Sequence, residues 1–243
     1  MVGLRPKATR FVNTSRVRLR RVNRRFARGT EHGMLVLDAG AGRSPYRRLF
    51  AHAKYESADI VQRDGGPNAV DYVCDLKSIP VEDARFDRVL FNQVLEHVPE
   101  PPAVLAELHR VLKPGGEILC SCPLFFHEHQ KPYDFYRYTK FGLRYLFEQA
   151  GYTDIRISWL DGYFGTIAYQ FRRMYDDLPR DPRRLTPGWR IIYLAPLLWG
   201  TRVVAGGLMV AFARAELRWK YTRSGMPKNY LVLASKPRHL PNP

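Results

Sequence analysis

The chain has 243 residues, 45% of them hydrophobic and 26% charged. That suits a single α/β domain and excludes a stapled miniprotein, a disordered chain and a collagen-like repeat. The formal charge of +16 is uneven: residues 1–30 carry +10, 31–159 carry −3, 160–226 carry +6 and 227–243 carry +3.

The first predicted element is a basic arm, residues 1–30. Phe11, Leu19, Val22 and Phe26, with Ser15, fall at helical spacing, and Arg16, Arg18, Arg20, Arg21, Arg24 and Arg25 crowd the other faces. Such an amphipathic helix suits an anionic membrane surface, assigned here to residues 11–26. There is no apolar segment of the secretory type. From Met34 onward strands and helices alternate. The strands are expected at 34–42, 54–60, 69–76, 86–93, 117–124, 153–160 and 229–235, with a helix following the first at Ser44-Pro45. Further helices are expected over 102–112 and from an N-cap at Thr139 to Ala150, closed by Gly151. This order implies a mostly parallel sheet covered on both faces. Three cysteines, Cys74, Cys120 and Cys122, cannot pair completely, which fits a reducing, cytoplasmic compartment.

The glycine turn Asp38-Ala39-Gly40-Ala41-Gly42 lies where the first strand ends, and the carboxyl edge of such a sheet is where open α/β folds bind ligands. Asp59 ends the second strand, where an acid can accept both hydroxyls of a ribose. Asp75 ends the third. Three acids at successive strand ends beside a glycine turn form a stronger signal than any one of them.

At these residues the sequence resembles the class I S-adenosylmethionine-dependent methyltransferases. VLDAGAG, ESADI and CDL are similar to their first three motifs, and FDRVLFNQVLEHV, LHRVLKPGGEIL and FEQAGY continue the pattern over 34–158, resuming at 228–236. The resemblance implies a Rossmann-like α/β fold with a seven-stranded, mostly parallel sheet and helices on both faces; the residue pattern adds a basic N-terminal helical arm and a helical insertion between strands six and seven. The domain then runs over 31–243 with the insertion at 160–226. S-adenosyl-L-methionine is the implied cofactor. Asp38, Gly40 and Gly42 would lie by its methionine part, Asp59 on the ribose, Asp75 and Leu76 at the adenine, and Asn92 and Gln93 would close the site. A nicotinamide dehydrogenase would instead want the fuller G-x-G-x-x-G.

Methyl transfer is an in-line displacement in which the protein supplies alignment and, for a hydroxyl acceptor, a base. The segment 121–142 is dense in histidines, charges and aromatic residues, and His129 to Thr139 is similar to a block in a subset of the family associated with glycan, glycolipid or natural-product biosynthesis. His129 is the expected general base, Asp134 its orienting carboxylate, and Arg137 the group holding the loop or an anionic acceptor; His127 is the second candidate base. His97 is expected to cap or pack, and His32, His52, His109 and His239 have no motif around them. No metal site is expected: Cys120 and Cys122 share a strand face without a second pair, and His127-Glu128-His129 is only an exposed loop. The motifs of cytosine-5 and of amino-group methyltransferases after strand four are absent, which favours oxygen methylation.

In the insertion, Ile191–Ala213 is apolar except for Arg202, which divides it into two runs of eleven. Each reaches roughly 16 Å, about half the hydrocarbon thickness, and a central arginine costs about 3 kcal/mol or more in a spanning helix. A single crossing would also part the last strand from its sheet. The segment therefore caps the domain or rests as a helix pair in a membrane interface. Arg172, Arg173, Arg180, Arg183, Arg184 and Arg190 before it, Arg214, Arg218, Lys220 and Arg223 after it, and Trp189, Trp199 and Trp219 favour the interface over 190–220. The expected function is O-methylation of a sugar hydroxyl on a glycolipid or lipid-linked glycan by a cytoplasmic enzyme at the inner face of the plasma membrane. The rivals are a soluble natural-product O-methyltransferase acting on a small molecule, an RNA methyltransferase using the arm on phosphates, and a cofactor-binding adaptor without catalysis. Nucleic acid is disfavoured because the basic segments are paired with apolar surface.

Overall fold

The computed structural model describes residues 13–61, 69–181, 183 and 191–238. Phe11, Arg184, Trp189, Arg190 and His239 lie outside the described residues. The chain forms two compact units: Leu19–Leu160 with Asn229–Pro243, which holds the sheet, and Asp161–Lys228 with the residues up to Arg18.

In the first unit the strands are β1 (Leu35–Ala39), β2 (Lys54–Asp59), β3 (Tyr72–Val73), β4 (Phe86–Asn92), β5 (Leu112–Pro123), β6 (Thr153–Trp159) and β7 (Asn229–Ser235). They form one sheet in the order β3-β2-β1-β4-β5-β7-β6. The pairs from β3 to β5 are parallel, and β7 runs antiparallel between β5 and β6. The helices are α1 (Thr14–Arg28), whose residues from Leu19 belong to this unit, α2 (Pro101–Val111) and α3 (Lys140–Gln149). Thr139 caps α3 by accepting the Gly142 amide at 3.1 Å.

Because side chains alternate across a strand, each strand feeds both faces. Leu37, Val89, Phe91, Ile118 and Cys120 face a core built with Val104, Leu105 and Leu108 of α2 and Leu143 and Phe147 of α3. Val36, Leu90 and Leu119 face a second core with Phe50, and with Phe26 and Ala27 of α1. This is the expected Rossmann-like sheet with helices on both faces.

Two details differ from the sequence expectation. The chain after the glycine turn makes only a four-residue 3-10 turn, Arg47–Phe50, and no α-helix. That leaves a sheet face uncovered, and α1 fills it. Leu19 and Phe26 are therefore buried at 7% and 6% exposure, which removes them from any membrane contact of 11–26 and makes the later half of the arm part of the domain core. Arg88 lies 4.5 Å over the Phe26 ring and donates to the Gly29 carbonyl at 2.7 Å, which secures the end of α1. The third strand is also shorter than expected, so Asp75 stands two residues beyond it.

The second unit contains α4 (Tyr163–Asp177) and α5 (Ile191–Arg218). Here α5 is one continuous helix of 28 residues, rather than two runs of eleven parted at Arg202. Arg202 does not interrupt it, since its guanidinium turns aside to donate to the Leu178 carbonyl at 2.9 Å and to lie 4.7 Å over the Tyr175 ring. Phe212 of α5 packs against Phe164 and Phe171 of α4. Glu216, fully buried, accepts the Gly162 and Gly165 amides at the start of α4, at 2.9 and 3.1 Å, and pairs with Arg18 at 3.2 Å. A carboxylate there complements the positive end of the helix. By length and composition α5 is long and apolar enough to cross a membrane, and little of it is buried.

Candidate active site

The carboxyl ends of β1, β2 and β4 carry the first group of candidate residues. The turn after β1 leaves the strand with Gly40 at φ +69° and Gly42 at φ +55°. A Cβ at Gly40 would stand 2.4 Å from a methyl carbon of Val94, so only glycine fits. At Gly42 nothing lies within 4 Å of the Cβ position, which leaves open space against bare backbone.

Asp59, at the end of β2, accepts the Gly42 amide at 2.8 Å, so the turn and the acid behind it are tied together. Asp75 is exposed, and it accepts the Lys77 amide at 2.9 Å. Asp38 is different. It is buried beneath the turn, takes a hydrogen bond from the Tyr55 hydroxyl, and its carboxyl is pushed up to about 7 by burial. Leu76 is buried in the main core.

Asn92 closes β4 but faces inward. Its amide donates to Asn23 of α1 at 3.1 Å, and its carbonyl accepts the Ser121 hydroxyl at 3.0 Å. Gln93 follows at φ +58° and donates to the same hydroxyl at 3.3 Å. A Cβ-free cradle beside a strand-end carboxylate fits a nucleoside with a charged amino-acid tail, such as S-adenosylmethionine, bound along this rim.

The second group lies in the loop after β5, which is docked onto the turn after β4. The amides of Phe135 and Tyr136 donate to the Glu96 carbonyl at 2.9 and 3.3 Å, and the Tyr138 hydroxyl donates to the Leu95 carbonyl at 3.0 Å. Asp134, its side chain 3% exposed, sits at the centre. Arg137 grips it with two parallel bonds of 2.8 Å, and that guanidinium holds the carboxyl well below the usual carboxylate range. The remaining donors of Arg137 reach the carbonyls of Phe126, His127 and Tyr136. All five N–H groups are thereby engaged within the loop. Of the two roles expected for Arg137, holding the loop is the one its contacts serve.

His129 and Asp134 come together: the carboxylate accepts the His129 amide at 2.8 Å and stands 3.3 Å from its Nδ1. His127 is exposed at the loop surface, its ring against Phe126. His97 joins the pair, which sequence reasoning did not foresee. Its ring is 4.6 Å from that of His129, its Nδ1 donates to the Tyr133 carbonyl at 2.5 Å, and burial lowers its pKa. Glu96 was also missed. It is fully buried, with its carboxyl pushed up to about 8 by burial and one oxygen 3.8 Å from His97 Nε2. The available signal was an acid beside a histidine in an otherwise apolar turn, Val94-Leu95-Glu96-His97-Val98.

Residues 37–120 match the family described as Methyltransferase domain. This chain carries a class I S-adenosylmethionine-dependent methyltransferase domain. The domain is 33% identical over 98 residues to the ubiquinone/menaquinone biosynthesis C-methyltransferase UbiE of Desulfotalea psychrophila, a match covering 35% of this chain and 39% of that protein. It is 34% identical over 118 residues to the ubiquinone biosynthesis O-methyltransferase of Coxiella burnetii, covering 48% and 44%. The chain spans less than half the length of the curated relatives it matches. Among solved structures, an S-adenosylmethionine-dependent methyltransferase from Archaeoglobus fulgidus shares the fold, with a TM-score of 0.53 at 16% identity over 90% of this chain and 93% of that one.

Proposed function

We propose that the protein methylates a hydroxyl of a membrane-resident amphiphile at the cytoplasmic face of the membrane, using S-adenosylmethionine; a sugar of a glycolipid or lipid-linked glycan is the acceptor class. The observation that carries the transfer reading is the rim itself, with Gly42 open to a ligand and tied to the Asp59 carboxylate at 2.8 Å.

The cofactor supplies an electrophilic methyl group on a sulfonium; when bound, it would pass that methyl to the acceptor oxygen and leave as S-adenosylhomocysteine. Asp59 would hold the ribose hydroxyls through its remaining lone pairs, and the glycine turn would admit the amino-acid tail. The acceptor proton is taken up at the cluster of Glu96, His97, His129 and Asp134. The loop 127–137 brings that cluster together, and alignment with a positioned base is what this displacement requires.

The membrane part rests on α5. Ile192, Leu197, Trp199, Val203 and Val204 are exposed along it, Arg214, Arg218 and Arg223 follow, and Trp219 extends the series. Apolar and tryptophan side chains bordered by arginine match an anionic lipid surface. The segment leaves β6 and returns to β7, and these strands pair. Both ends of the segment therefore lie at one end of the sheet, which supports a surface position for α5 over a single crossing. A quinol-type lipid is the second acceptor reading, favoured by the two relatives named for quinone biosynthesis.

Labelled methyl from S-adenosylmethionine should enter a lipid extract and not RNA. Asp59→Ala should abolish calorimetrically detected cofactor binding, and His129→Ala should leave binding intact while lowering turnover by about 10²-fold or more. Absence of any heat with either S-adenosylmethionine or S-adenosylhomocysteine would reject the reading.

A further inference from the structure

We infer that Glu96, His97 and His129 form a binding site for one divalent transition-metal ion of the zinc class. The site goes beyond the proposed methyl transfer and does not depend on it.

One ligand atom from each of the three residues lies within 4.8 Å of the other two. The protonation pattern follows from their partners. His97 Nδ1 bonds the Tyr133 carbonyl, and a carbonyl only accepts, so Nδ1 carries the hydrogen and Nε2 keeps a bare lone pair. His129 Nδ1 faces two acceptors at 3.3 Å, the His127 carbonyl and an oxygen of Asp134, which fixes the same tautomer. Asp134 also stands 3.9 Å from His97 Nδ1. Metal-ligating histidines are typically held in this way, with the second ring nitrogen donating to a carboxylate or a backbone carbonyl.

The decisive group is Glu96. Its side chain is fully buried, yet neither carboxylate oxygen has a hydrogen-bond partner, and neither does His97 Nε2. Docking of the loop explains the Nδ1 bonds and the backbone contacts. It does not explain a carboxylate buried with both oxygens bare and aimed at two imidazole lone pairs, since buried polar groups are ordinarily satisfied. A cation satisfies all three at once.

Two histidines and one glutamate with an open position form a donor set that zinc takes in enzymes. Bonds of about 2.0–2.1 Å at tetrahedral angles place ligand atoms about 3.3 Å apart, so from separations within 4.8 Å a closure of at most about 1.5 Å completes the site. With an ion seated there, Glu96, His97 and His129 act as ligands and are no longer free to take up a proton.

The test uses the full chain, stripped by chelator and titrated with Zn²⁺ in a competition assay without cofactor. One equivalent should bind, and Glu96→Gln and His129→Ala should each weaken it at least tenfold. His32→Ala, at an exposed histidine elsewhere, should leave the affinity unchanged. Circular dichroism and cofactor calorimetry on the same variants separate loss of ligation from misfolding. Substoichiometric binding, or affinity insensitive to both ligand substitutions, overturns the site. Because the titration contains no S-adenosylmethionine, either outcome leaves the methyl-transfer reading to its own experiment.

Discussion

The helices α1 and α5 look alike in sequence and behave differently in the structure. Both combine apolar residues with arginine, and both suggest a membrane surface. In α1 the apolar residues from Leu19 onward turn into the sheet, and Phe26 retains 6% exposure. In α5 they turn outward, and Trp199 retains 71%. The cause lies in what each helix has to cover. The face beside α1 is left open by the short turn after β1, so its stripe has a partner of its own. In α5 apolar residues occupy nearly the whole circumference, and α4 is short and covers only part of it. An amphipathic pattern states that one face will be buried, and the rest of the chain decides in what.

The sharpest way to break this comparison is to truncate a side chain on each helix. Phe26→Ala removes a buried ring from the core of Val36, Phe50, Leu90 and Leu119, and should lower unfolding stability by about 3–5 kcal/mol. Trp199→Ala should change it by no more than about 0.5 kcal/mol. Urea denaturation of the two variants reads both values, and similar losses would mean that the helices are equally buried.

A smaller effect should appear at a lipid surface. Leu197→Ala combined with Trp199→Ala should weaken binding to anionic vesicles about tenfold or more, since each side chain contributes roughly 1.5–3 kcal/mol when fully buried. Arg20→Gln combined with Arg24→Gln should weaken it less, because on α1 only the charges remain exposed. Sedimentation with anionic and neutral vesicles measures both. Equal, negligible binding of the unmodified protein to the two vesicle types would reject the membrane reading.

The legible and illegible parts of the sequence divide along the same physical line. Strands β1 and β4 were readable because buried parallel strands are short apolar runs, β6 and β7 because their residues alternate in burial along antiparallel strands, and the glycine turn because Gly40 and Gly42 adopt a backbone that other residues resist. Thr139 was readable as a cap from local chemistry alone. The replacement of a helix by the Arg47–Phe50 turn was not, since Ser44-Pro45 suits the start of either, and the fate of α1 depended on it. The joining of His97 and Glu96 to His129 was equally hidden. It requires the loop after β5 to fold onto the turn after β4, a contact between residues more than thirty positions apart that no local pattern encodes.

The least perturbing test concerns Glu216, which lies on α5 and grips Arg18 of α1. Burial raises its pKa above the ordinary carboxylate value, although Arg18 and the Gly162 and Gly165 amides pull the other way. A raised acid binds its proton more tightly in the folded state, so stability is greatest below the unfolded pKa and declines as pH rises toward the folded one. Glu216→Gln keeps an acceptor for the amides and removes the ionisation. Urea midpoints from pH 4 to pH 8 should therefore fall less steeply for Glu216→Gln than for the unmodified chain. A steeper fall in the variant would mean that the ion pair with Arg18 outweighs the cost of burying the charge.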